Sequence, residues 1–122
     1  VTRKGDPYAD HCKATAAALA RALELDDSQW TLAWQSKFGP ERWLQPSAET
    51  VVQELAPTAK RLLVSCPGFV AGCLETLDEI GNELAHTFLE AGGEALRLVP
   101  AVDASDTFVD ALAELVRAHV PA

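Results

Sequence analysis

Three glutamates in the stretch Cys73-Leu74-Glu75-Thr76-Leu77-Asp78-Glu79-Ile80-Gly81-Asn82-Glu83 recur at i, i+4 and i+8. On a helix that spacing stacks Glu75, Glu79 and Glu83 along one face. Like charges four residues apart destabilise a helix by roughly 0.2–0.5 kcal/mol per pair. The row therefore reads in two ways: as a solvated face of an acidic protein, or as a track whose repulsion a divalent cation would relieve. Carboxylate oxygens are hard donors suited to such an ion.

Other candidate ligands are sparser. Glu83-x-x-His86 has the i,i+3 spacing of a carboxylate–histidine metal pair, but a bundle site uses two such pairs and the chain has one. A surface or packed His86 is the plainer reading, and His11 and His119 have no partner at motif spacing. Cys12, Cys66 and Cys73 form no C-x-x-C, which excludes zinc-ribbon and thioredoxin-type sites. An iron–sulfur cluster needs four ligands, normally all cysteine, so none is expected, and the thiols are expected free. The phosphate-cradling G-x-G-x-x-G and G-x-x-x-x-G-K-[ST] motifs are absent from the sequence, as is the G-x-S-x-G elbow. No tightly bound cofactor is expected. Phe38 and Trp43 lie in a loop punctuated by Gly39, Pro40 and Pro46. Their rings could face a planar ligand or pack in a core.

Positioning these groups requires a scaffold, and its pattern alternates between helical and strand periods. Asp6-Pro7 opens a helix through Tyr8, Cys12, Ala16, Leu19 and Leu23, fading near Leu25. Trp30 to Gln35 alternates large and small side chains and reads as a strand. Ser47 caps a short helix that Pro57 stops, and Arg61 to Cys66 is an apolar run suited to a buried parallel strand. A longer helix is expected from about Ala71 to Ala91, with Leu74, Leu77, Ile80, Leu84 and Phe88 on one face and Gly92-Gly93 as its stop. Ala95 to Val99 makes a third strand, and Ser105 or Asp106 caps a final helix. Strands separated by helices pair in parallel, which gives an α/β three-layer sandwich of flavodoxin-like type. Ligands in such folds bind at the carboxyl ends of the strands. Glu75, in the first turns after one of those ends, is well placed. Three strands make a thin sheet, so a further strand upstream of Val1 is expected.

Composition bounds the remaining possibilities. The 122 residues suit one domain. Ten Lys and Arg against 18 Asp and Glu give a net charge of −8, opposite to the basic stripe of a nucleic-acid binder. The longest uncharged run, Leu62 to Leu74, contains Pro67 and two glycines and falls short of the roughly 20 apolar residues that a bilayer crossing needs. No transmembrane helix or signal peptide is expected; peripheral membrane contact stays open. Few cysteines and many charges suit a reducing cytoplasm. The chain has no Met and starts at Val1, which suits a piece of something longer.

Three motifs together carry a resemblance. Gly5-Asp6-Pro7-Tyr8, Trp34-Gln35-Ser36-Lys37-Phe38-Gly39-Pro40-x-x-Trp43-Leu44 and Glu75-Thr76-Leu77-Asp78-Glu79 closely resemble ferrochelatase, in order and in spacing, over essentially the whole chain. The resemblance implies a C-terminal chelatase domain over residues 1–122, the later part of a two-domain enzyme of bacterial type. It also implies two similar α/β halves facing across a porphyrin cleft, and insertion of Fe²⁺ into protoporphyrin IX as the last step of haem biosynthesis. By this resemblance Glu75 is the active-site glutamate. Glu79 and Glu83 belong to an acidic line on a helix with a π-type stretch, and Phe38, Trp43 and Phe69 line the porphyrin pocket.

The family's histidine, which faces the glutamate across the macrocycle, lies upstream of the G-D-P-Y motif, and no histidine precedes His11. Cys73 stands where relatives often have His, and Gly72 where Asp is common. The isolated chain is therefore expected to be inactive without its missing N-terminal half. Uncovered Trp43 and Phe69 would favour a homodimer. Two alternatives remain: another tetrapyrrole metal chelatase, or a folded but inactive half-domain acting as a binding module.

Overall fold

A computed structural model describes residues 5–36 and 43–120. The elements are α1 (Tyr8–Ala22), α2 (Ala48–Leu55), β1 (Arg61–Val64), α3 (Leu74–Leu77), a π-type segment (Glu79–Leu84), α4 (Ala85–Glu90), β2 (Ala95–Leu98) and α5 (Asp106–His119).

The α/β class holds. β1 and β2 pair in parallel with Leu62 opposite Leu96 and Val64 opposite Leu98, and the intervening helical run supplies the crossover. The inward members of each strand, Leu62, Val64, Leu96 and Leu98, pack against a core of Val52, Ala56, Ile80, Leu84 and Phe88. Helices α2 and α4 with the π-type segment thus cover one face of the sheet. On the opposite face Leu63 is 73% exposed.

The segment expected as a first strand behaves differently. Trp30 to Gln35 joins no ladder among the described residues; Trp34 makes a single parallel bridge to Ser47. Trp34 N–H donates to the Pro46 carbonyl and Ala48 N–H to the Trp34 carbonyl. Trp34 itself is buried, its ring tilted against Tyr8 at 6.2 Å. Proline at 46 has no N–H to extend the ladder, and the chain turns directly into α2.

Several signals act locally as expected. Ser47 Oγ accepts from Thr50 N–H at the start of α2, and the Asp6 carboxylate accepts from Tyr8 N–H before α1. The expected Ala71–Ala91 helix starts later, at Leu74, and changes register within its length. Gly92 takes φ +98° after α4, a conformation open to glycine at little cost. Gly93 packs directly on the Phe88 ring, where a Cβ would collide.

The register change also revises the apolar stripe. Ile80, Leu84 and Phe88 are buried as expected, but Leu74 and Leu77 are 69% and 60% exposed. The α-type ladder closes with Asp78 N–H on the Leu74 carbonyl. The Asp78 carbonyl then accepts from both Asn82 and Glu83 N–H groups, one an α-type and one a π-type bond. That wider turn breaks the spacing that would have kept Leu77 in line with Ile80. Such π-type turns are rare and occur frequently at functional sites.

Candidate active site

The carboxyl ends of β1 and β2 open into two short loops. Phe69 N–H donates to the Cys66 carbonyl at 2.9 Å, closing a turn after β1. Asp103 ties the loops together: its N–H donates to the Val70 carbonyl, and its carboxylate accepts from Gly72 N–H at 3.2 Å. Between them lies an apolar cavity of about 310 Å³, bordered by Pro67, Phe69, Leu77, Val99, Pro100 and Val102 among others.

Helix α3 rises from this loop. Cys73 is its cap: Cys73 N–H donates to Thr76 Oγ1 at 3.1 Å, and the thiol lies 3.8 Å from the same oxygen. Thr76 is buried, so the cap is sheltered. Glu75 sits half-buried in the first turn. Hydrogen bonds from its own backbone N–H and from the Cys73 side chain hold its carboxyl below the ordinary value of 4.5, and they outweigh the opposing effect of partial burial. Glu75 is therefore an anion at neutral pH. That suits an oxygen donor to a cation better than a proton acceptor tuned near neutrality.

Gln35 and Ser36 gather the site. Gln35 Nε2 donates to the Glu75 carbonyl at 2.6 Å, just past the last α-type acceptor of the helix. Its Oε1 accepts from the Cys66 thiol at 3.2 Å, and its backbone carbonyl accepts from the Trp43 indole N–H at 2.9 Å. Burial, with the neighbouring Cys73 adding to it, pushes the Cys66 thiol above its ordinary pKa, so it remains a donor. Ser36 Oγ donates to the Glu79 carboxylate.

The structure thus brings Glu75, Glu79 and Trp43 around one dipeptide, and places Phe69 against the adjoining cavity. Glu83 lies within the π-type segment and is exposed. Phe38 lies outside the described residues. Among the described residues no three His, Cys, Asp or Glu side chains converge on a closed metal cage. His86 pairs with Glu90, at 3.2 Å, instead of Glu83, and both members are exposed. Cys12, Cys66 and Cys73 are all free thiols, each half-buried. No helix among the described residues is long and apolar enough to cross a membrane.

Residues 1–120 match the family model for ferrochelatase. The chain belongs to the ferrochelatase family. It is 50% identical over 115 residues to a ferrochelatase of Brucella anthropi, covering 93% of this chain and 33% of the relative. It is 43% identical over 118 residues to a ferrochelatase of Actinobacillus pleuropneumoniae, covering 96% of this chain and 37% of the relative. Against a protein of Streptococcus mutans named coproporphyrin III ferrochelatase it is 46% identical over 114 residues, covering 93% and 36%. The chain spans about a third of the length of these relatives.

Sequence reasoning missed Gln35, Ser36 and Cys66 as members of the site. Gln35 and Ser36 lie inside the tryptophan motif, but nothing in their types announces a role. Ser36 has φ +56°, a left-handed conformation uncommon for serine, and that becomes visible only in the folded chain.

Proposed function

We propose that this chain is the C-terminal part of a protoporphyrin ferrochelatase, a lyase of haem biosynthesis, and that Glu75 is its active-site glutamate. The observation that carries the reading is the place of Glu75 in the first turn of α3, after the loop that leaves the carboxyl end of β1, on a helical run whose π-type segment also carries Glu79. In the balanced reaction Fe²⁺ enters the macrocycle and the two pyrrole N–H protons leave to bases. Glu79 and Glu83 hand the ion along the helix face, and Glu75 offers it anionic oxygens loosely enough to release it. Trp43, Phe69 and Phe38 supply flat apolar surface to grip the ring. The family's histidine is contributed by the N-terminal half of the same protein, so the isolated chain does not insert iron. Reaction in the cytoplasm, with the enzyme at most touching a membrane peripherally, completes the reading.

The cavity beside Phe69 favours protoporphyrin IX over coproporphyrin III. Its described lining is apolar or neutral, without Lys, Arg or His. Protoporphyrin carries vinyl groups where coproporphyrin carries two extra propionates, and an anionic propionate in an apolar wall without a cation is costly. The Streptococcus mutans relative supplies the competing reading, in which coproporphyrin III is metallated. The test is iron insertion by the full-length enzyme with each porphyrin at equal concentration. Preference for protoporphyrin IX supports the proposal; preference for coproporphyrin III, or no insertion into either, overturns it.

A further inference from the structure

We infer that Gln35 and Ser36 are positioning residues that lock the metal-facing helix to the tryptophan loop, with Ser36 setting the direction in which the Glu79 carboxylate points. The inference deepens the proposed function and rests on it.

Four observations converge on this dipeptide. The Gln35 side-chain amide uses both ends: its NH₂ takes the Glu75 carbonyl where the α-type ladder stops, and its oxygen takes the Cys66 thiol at the end of β1. The Gln35 backbone carbonyl receives the Trp43 indole. Ser36 holds one oxygen of the Glu79 carboxylate and stands 3.4 Å from the Gln35 amide nitrogen. Finally, Ser36 adopts φ +56°, a conformation that a non-glycine residue keeps only when its surroundings enforce it.

The geometry divides the labour. A hydroxyl donating to one carboxylate oxygen leaves the other free for a cation and stops the side chain from rotating away. The Gln35 amide anchors the helix at the register change, so that Glu75 and Glu79 keep a fixed relation. Because the same residue carries the Trp43 contact, displacement of the loop reaches both the aromatic wall and the carboxylates.

The test uses the full-length protein and two probes: Co²⁺ as a divalent ion, read by thermal stabilisation, and protoporphyrin IX, read by quenching of tryptophan fluorescence. Ser36→Gly relieves the backbone conformation while removing the hydroxyl, so it should fold. It is expected to raise the Co²⁺ midpoint about ten-fold, the size of one charge-assisted hydrogen bond, and to leave the porphyrin midpoint within about two-fold. In a Glu79→Gln background the same substitution should add nothing further, because the partner charge is gone. Gln35→Leu should raise both midpoints. An unchanged Co²⁺ midpoint in Ser36→Gly, or full additivity with Glu79→Gln, overturns the inference, as does a wild-type protein that Co²⁺ does not stabilise. A wild type that binds Co²⁺ but inserts no iron overturns the proposed function while leaving the clamp standing.

Discussion

The two ends of one helical run, Leu74 to Glu90, have opposite characters. At the rear, Phe88 is fully buried between α2 and the sheet, Gly93 lies against its ring, and Leu84 and Ile80 complete the contact. At the front, Leu74 and Leu77 are exposed, three of the run's four glutamates lie there, and the backbone departs from α-type bonding. The rear is organised by burial. The front is organised by hydrogen bonds from outside the helix, supplied by Gln35, Ser36 and the Cys73 cap. A row of like charges on a widened turn is not the lowest-energy use of those residues. The rear and the sheet hold it in place.

If that division is right, substitutions at the rear cost stability and spare the response to metal, and substitutions at the front do the reverse. Phe88→Ala should cost about 3–5 kcal/mol in equilibrium denaturation, the range for removing a fully buried aromatic ring. A loss well under 1 kcal/mol would show that the rear is not the anchor. Gly93→Ala forces a methyl into the Phe88 ring and should cost about 1–3 kcal/mol, the overpacking range. A neutral result would mean that the turn moves aside freely.

A subtler contrast lies in pH. Glu75 is held below its ordinary 4.5 in the folded protein, so whatever its charge contributes is present above the unfolded value and is lost as pH falls through the lower folded one. The part of the Co²⁺-dependent stabilisation that Glu75→Gln removes should therefore be retained to a lower pH than a glutamate of ordinary pKa would allow. If that difference between the two proteins fades at or above the ordinary value of 4.5, the two hydrogen bonds do not govern the carboxylate.

Much of the rear was legible in the sequence, because it follows rules that residue types obey directly. Ser47 caps α2, Arg61 to Cys66 and Ala95 to Val99 read as strands and pair in parallel over Arg61–Val64 and Ala95–Leu98, and Ile80, Leu84 and Phe88 fall at helical spacing. The position of Glu75, in the first helical turn after the carboxyl end of β1, was legible as well. The front resisted for physical reasons. Glu79 to Leu84 has nothing in its residue types that distinguishes a π-type from an α-type turn, so Leu77 was expected with the buried stripe and instead faces outward. Trp30 to Gln35 alternates like a strand, yet Pro46 limits it to one bridge, and its last residue spends its side chain on the helix. Contacts between residues forty positions apart, such as Gln35 with Glu75, leave no local mark.

The most direct measurement is iron insertion by the full-length enzyme carrying Glu75→Gln, an isosteric change that keeps an oxygen donor and deletes the charge. A loss of at least about 100-fold in kcat, comparable to removing one electrostatic group aimed at the reacting centre, with an unchanged melting temperature, is the expected result. Insertion within a few-fold of the unsubstituted enzyme would contradict the assignment of Glu75 as the group that delivers the ion.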